Sequence, residues 1–117
     1  MSTQAETSFP SSVYLSAVED ASLLAAAADP NRMTILKLLS DGTTCVCTLK
    51  EHVRLAPNLL SYHLKVLRDA RLVVSKRRGR WVDYRLVEGA LGRLREAIPV
   101  ARDDESPQKI SRRRRNR

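Results

Sequence analysis

The sequence predicts a mainly α fold carrying one β-hairpin, with elements in the order α-α-α-α-β-β-α. Three observations predict it. Apolar residues recur at helical spacing as far as Ala70. The period then drops from 3.6 to 2 over two short runs rich in Val, Trp, Tyr and Leu. Pro and Gly stand at places where helices start and stop. At 117 residues the chain has the size of one domain with a real core and is too short for two. The expected organisation is a polar, flexible arm over 1–11, a folded unit over 12–100, and a basic, low-complexity, disordered tail over 101–117 ending SRRRRNR.

The first helix, over 12–28, places Val18, Ala21, Leu24, Ala25 and Ala28 at helical spacing. Asp29 is a good N-cap and Pro30 suits the first helical position, so the chain restarts there. The second helix is expected to bury the stem of Arg32 with Ile35, Leu36 and Leu39, and to stop at Gly42 as a left-handed cap. A short helix follows over 45–53 with Thr44 as its cap. The turn at Ala56, Pro57 and Asn58 opens a stronger helix that runs to Ala70. Strands over 72–75 and 81–86 are joined across Arg77, Arg78, Gly79 and Arg80, which makes a hairpin with a basic tip. A last helix over 88–97 is stopped by Pro99, and no internal repeat occurs.

Charge narrows the function. The formal net charge is +8, from 21 Lys+Arg against 13 Asp+Glu. It is unevenly placed: residues 54–85 hold 9 basic and 2 acidic side chains, while residues 1–53 hold 3 basic and 6 acidic. The tail from Ala101 adds 7 basic against 3 acidic. Positive charge gathered on one internal stretch points to a nucleic-acid surface built on a specific substructure. No apolar run approaches the roughly 20 residues of a membrane span. The N-terminus lacks a secretory pattern, so a cytoplasmic chain with no membrane partner is expected. Paired carboxylates, a nucleophile constellation and a phosphate loop are all missing, which argues against an enzyme.

The helix after Pro57 carries the sharpest signal. On a wheel of about 100° per residue, Leu60, Leu64 and Leu67 form one stripe. Asn58, Ser61, Tyr62 and Lys65 lie opposite, a polar and basic face expected to hold no carboxylate and suited to base edges and phosphates. The short helix and turn before it are how a reading helix is propped in the major groove. His63 falls beside Leu67, so it reads as a packed or phosphate-bonding histidine. Lys76, Arg77, Arg78 and Arg80 cluster at the hairpin tip, four cations that repel one another without a counter-charge and would form a wing against phosphates or the minor groove. Trp81 and Tyr84 read as packing residues. The tail arginines either add non-specific phosphate contacts or do nothing specific.

Cys45 and Cys47 are the chain's two cysteines. On a regular helix they point about 200° apart, whereas in extended backbone both sulfurs fall on one side. A shared ligand therefore requires the first turn of this helix to open or deform. Thiolates near a helix start, with Lys50 close by, suit a soft, thiophilic ion. The competing reading is two small buried hydrophobes. A disulfide across two residues is disfavoured by geometry and compartment. His52 lies too far around the helix to count as a ligand.

Four runs, ADPNRMTILKLL at 28–39, CVCTL at 45–49, LSYHLKVLRDARLV at 60–73 and GRWVDYRL at 79–86, together resemble the ArsR/SmtB family of metal-responsive bacterial repressors. The resemblance covers about residues 15–98. It implies a winged helix-turn-helix homodimer, joined through its first and last helices, that binds palindromic double-stranded operator DNA and releases it when an ion binds. Cys45 and Cys47 resemble the arsenite and antimonite site of the family's arsenical-resistance branch, with As(III) or Sb(III) as inducer and no organic cofactor. That branch often has a third Cys where this chain has Lys50, so the third ligand would be hydroxide or a small thiol. The last helix contains no His, so the zinc site that other members build there is not expected. Arg71 stands where the family usually has Gly, a costly residue if the backbone there is left-handed. The alternatives are the same DNA binder sensing a soft divalent ion such as Cd, Pb or Zn, or thiol oxidation, or a DNA binder with structural cysteines.

Overall fold

The computed structural model describes residues 11–42 and 44–102. The arm and tail expected at 1–11 and 101–117 lie almost wholly outside the described residues. Among the described residues there are five helices and three short strands: α1 (Ser12–Ala27), α2 (Pro30–Leu39), β1 (Thr44–Cys45), α3 (Val46–His52), α4 (Pro57–Asp69), β2 (Val73–Arg78), β3 (Trp81–Leu86) and α5 (Ala90–Glu96). The mainly α fold with a hairpin is as expected. The added strand β1 was not, and it makes the sheet three-stranded in the order β1-β3-β2, antiparallel throughout.

Local chemistry accounts for the element boundaries. Ser11 caps α1 through its hydroxyl, which accepts from the Tyr14 amide at 3.0 Å. Asp29 caps α2, its carboxylate accepting from the Asn31 and Arg32 amides at 2.8 and 3.1 Å, with Pro30 at the first helical position. These amide bonds, that of Arg32 first, hold the Asp29 carboxyl below its ordinary range. The second helix ends at Leu39, with Ser40 as its cap, rather than running to Gly42. Gly42 still takes a positive φ of 134° in the following turn, open only to glycine at low cost.

One apolar core holds the elements together. Ile35, Leu36 and Leu39 of α2, Leu49 of α3, and Leu60, Leu64 and Leu67 of α4 meet Leu72, Val73 and Tyr84 from the hairpin. Buried side chains of this size stabilise by about 1.5–3 kcal/mol each. The first helix contributes Ala26 and Ala27 instead of its expected stripe: Val18 is 48% exposed, and Ala21 and Ala25 also face solvent.

The exit from α4 sets the direction of the hairpin. The Leu72 amide donates to the Leu67 carbonyl and the Arg71 amide to the Arg68 carbonyl, at 3.0 and 2.9 Å. This pair of bonds is the Schellman closure, which requires a left-handed residue just past the cap. Arg71 supplies it at φ 61°, where the resembled family has Gly, at a cost of about 1 kcal/mol. Leu67 and Leu72 are fully buried on either side of that turn, so β2 leaves α4 in a fixed direction.

Candidate nucleic-acid interface and thiol pair

The fourth helix is amphipathic. Its apolar stripe anchors it in the core, which leaves Asn58, Ser61, Tyr62 and Lys65 exposed together. Leu59, which the sequence did not single out, is 46% exposed on the same helix. The face does hold a carboxylate, contrary to expectation. Asp69 lies four residues after Lys65, one helical turn on, and accepts from its ammonium at 2.8 Å. The spacing alone could have revealed this.

His63 sits off the reading face, packed beside Leu67 as one of its two sequence readings had it. Its side chain is 11% exposed, and its Nδ1 lies 2.9 Å from Arg32 Nη1. A guanidinium only donates, so Nδ1 presents its lone pair and the ring proton is assigned to Nε2. Arg32 Nε donates to the Ala26 carbonyl at 2.6 Å and Nη2 to that of Ala25 at 3.3 Å. One guanidinium thereby ties the end of α1 to α4. The sequence had credited only its aliphatic stem.

The hairpin is longer than expected, with β2 running through Arg78. Lys76, Arg77 and Arg78 are therefore strand residues, and only Gly79 and Arg80 form the turn. Gly79 adopts φ 63°, which such a two-residue turn needs. All four cations are exposed. The tip has a counter-charge after all: Arg78 Nε and Nη2 donate to the two oxygens of Asp83 at 2.8 and 3.1 Å. That fork holds the Asp83 carboxyl below its ordinary range. Among the described residues Lys76, Arg77 and Arg80 make no ion pair. Tyr84 is buried as a packing residue, whereas Trp81 is 48% exposed beside the tip.

Cys45 and Cys47 straddle a change of backbone. Cys45 is extended at φ −83° and ψ 161°, the last residue of β1 and the N-cap of α3. Cys47 is exposed in the first helical turn. Thr44, expected as the cap, is a strand residue paired with Tyr84. The sequence required the first turn of this helix to open or deform for the sulfurs to meet; a strand ending at Cys45, where the helix begins, puts both on one side. They are joined as a disulfide across a Cα–Cα distance of 5.4 Å, which corrects the expectation that this pairing is geometrically disfavoured. In the disulfide form the Thr48 hydroxyl lies 3.6 Å from Cys45 Sγ, and reduction turns the pair into two thiols at the start of α3. Two thiols suit a soft ion whose remaining ligands come from solution. Among the described residues no group of three His, Cys, Asp or Glu side chains is placed to hold a metal. Lys50 and His52 are exposed.

An exposed apolar surface runs along α1 and the chain after α5. Val13 is 77% exposed and Val100 70%, with Tyr14, Leu15, Val18 and Ile98 between roughly a half and three-fifths exposed. Among the described residues no helix is long and apolar enough to cross a membrane.

Comparison with known proteins agrees with this geometry. Residues 29–75 match the family model of the bacterial regulatory protein, arsR family. The chain is 39% identical over 82 residues to the arsenical resistance operon repressor of Staphylococcus xylosus, covering 70% of this chain and 79% of that one. It is 44% identical over 62 residues to the protein of the same name in Bacillus subtilis, covering 52% and 59% of the two chains. Among solved structures, a possible transcriptional regulator for arsenical resistance superposes with a TM-score of 0.60 at 36% identity, covering 63% of this chain and 77% of that one. The chain belongs to the arsR family of bacterial regulatory proteins, winged-helix repressors of transcription that act by binding DNA.

Proposed function

We propose that this repressor binds palindromic operator DNA as a cytoplasmic homodimer and leaves it when arsenite or antimonite binds Cys45 and Cys47. The observation that carries the reading is the placement of both sulfurs on one side at the start of α3, whose Leu49 shares the buried core with Leu60, Leu64 and Leu67 of α4. Asn58, Ser61, Tyr62 and Lys65 read the operator, and Arg77, Arg78 and Arg80 hold its backbone. The exposed apolar residues of α1 and of the chain after α5 support a dimer joined through the first and last helices.

The binding step balances without a redox change at the metalloid. Reduced Cys45 and Cys47 each give up a thiol proton as their sulfurs form bonds to arsenic. Two arsenic–oxygen bonds break, and the displaced hydroxides leave as two waters. The third arsenic–oxygen bond remains or is exchanged for a small thiol, because Lys50 cannot serve as the third sulfur. Seating both sulfurs on one ion pulls on the strand–helix junction and on Leu49, which is fully buried in the core that seats α4. Typical coupling of about 1–3 kcal/mol lowers operator affinity roughly 5- to 150-fold.

The disulfide favours a second reading, thiol oxidation as the signal. A peroxide would take both thiol protons and the electron pair, giving the disulfide and two waters. Titrating operator-bound reduced protein with arsenite, then cadmium, then peroxide separates the two readings. Under the first, arsenite releases the wild type and fails on Cys45→Ser and Cys47→Ser. Release by peroxide alone transfers the role to oxidation, and release by cadmium alone to a soft divalent ion.

A further inference from the structure

The strand β1 joins the thiol pair to the wing. Its register sets Cys45 directly opposite Asp83, and Asp83 is in turn opposite Lys76 on β2. Directly opposed residues project to the same face, their Cβ atoms about 4.5–5.5 Å apart. Cys45, Asp83 and Lys76 therefore form one row across the sheet. From that row Asp83 reaches along the hairpin and grips Arg78 with both oxygens. Arg78 is itself opposite Trp81 at the tip. The Asp83 side chain is 19% exposed against 63% for Arg78, so the carboxylate is the sheltered end of the pair and the guanidinium the end that meets solvent.

Resting on the sensing role just proposed for Cys45 and Cys47, we infer that Asp83 is a positioning residue that relays the state of the thiol pair to Arg78 and the wing. The pull at α3 then has a second path. A two-residue strand is held by few ladder bonds, so a change in how Cys45 is tethered shifts it easily. The neighbour across the ladder is Asp83, and a small displacement there misaligns a fork whose strength depends on its geometry. One event at sulfur thus loosens both the helix that reads bases and the cation that holds phosphate.

The chain's one tryptophan makes the relay measurable, because Trp81 sits opposite Arg78. Reduced full-length protein is titrated with arsenite while Trp81 emission and protein-retained arsenic are followed together. In the wild type the emission change saturates with the retained arsenic. In Asp83→Asn arsenic retention is unchanged, the emission change is lost, and operator release by arsenite weakens about two- to fivefold, the scale of one exposed ion pair. A purely structural Asp83 would lower operator affinity with and without arsenite alike and leave their ratio intact. In the double variant Asp83→Asn, Arg78→Gln the ratio falls no further than in either single variant. Retained arsenic with a silent Trp81, or an equal response in Asp83→Asn, overturns the relay. If no arsenic is retained, the metalloid reading fails by itself. The relay is then decided by Trp81 emission in the dithiol and disulfide forms, which differs in wild type and not in Asp83→Asn; equal emission in both wild-type forms refutes it.

Discussion

Removing the Arg32 guanidinium tests how α4 is held. Its Nε bond to the Ala26 carbonyl and its Nη1 contact with His63 are short and partly buried, while the 3.3 Å bond to the Ala25 carbonyl is exposed and weak. Counting the first two at about 1–1.5 kcal/mol each gives a loss of about 2–3 kcal/mol for Arg32→Ala, since hydrogen bonds from charged donors outweigh neutral ones. That is a large share of the 5–15 kcal/mol available to a domain of this size. Arg32→Lys keeps the charge and one donor and should fall between the two. Urea unfolding at a fixed protein concentration measures this, with a lower midpoint at unchanged slope. In a double-mutant cycle with His63→Ala, a coupling near 1 kcal/mol is expected. A loss below about 0.5 kcal/mol for Arg32→Ala, the level of an ordinary surface change, would refute the argument that this side chain ties α1 to α4.

Four further outcomes are expected. Arg71→Gly relieves a left-handed backbone at the Schellman turn and should raise stability by about 1 kcal/mol in the same urea assay. Asp69→Asn frees Lys65 and should tighten operator binding severalfold at low salt, with the gain fading as screening rises. Arg77 makes no ion pair among the described residues, and Arg77→Ala should reduce the salt slope of operator binding by about 1, the loss of one phosphate contact. Asp29 and Asp83 carry lowered pKa values in the folded chain, so their stabilisation is present above the ordinary carboxylate value of 3.8 and is lost as pH falls through the folded values. Acid unfolding of Asp29→Asn should therefore be flatter than wild type below about pH 4.

Much of the fold was legible because its signals are local. Asp29 and Pro30 start a helix by chemistry that needs no distant partner, and the leucine stripe of α4 is one period repeated. The positive φ at Arg71 was readable only against a pattern with Gly at that place. The hidden features are those whose partner lies far along the chain. The two residues of β1 show no period, and they become a strand only because residues 83 and 84 lie alongside. Missing that strand also misassigned Thr44 as a cap. The packing of His63 beside Leu67 was readable from the wheel, but not its partner Arg32, 31 residues away. Asp83 went unnoticed as a counter-charge because the hairpin register, not the sequence spacing, brings it to Arg78. The cysteine pair fell between two regular geometries because its backbone is half strand and half helix.

Under the proposed function, two sulfurs decide when this repressor leaves DNA. Fluorescence anisotropy of labelled operator, with reduced protein and increasing arsenite, tests it most directly. An affinity loss of roughly 5- to 150-fold is expected for wild type and none for Cys47→Ser. Unchanged operator affinity of the wild type at saturating arsenite, or equal release of the serine variant, would contradict it.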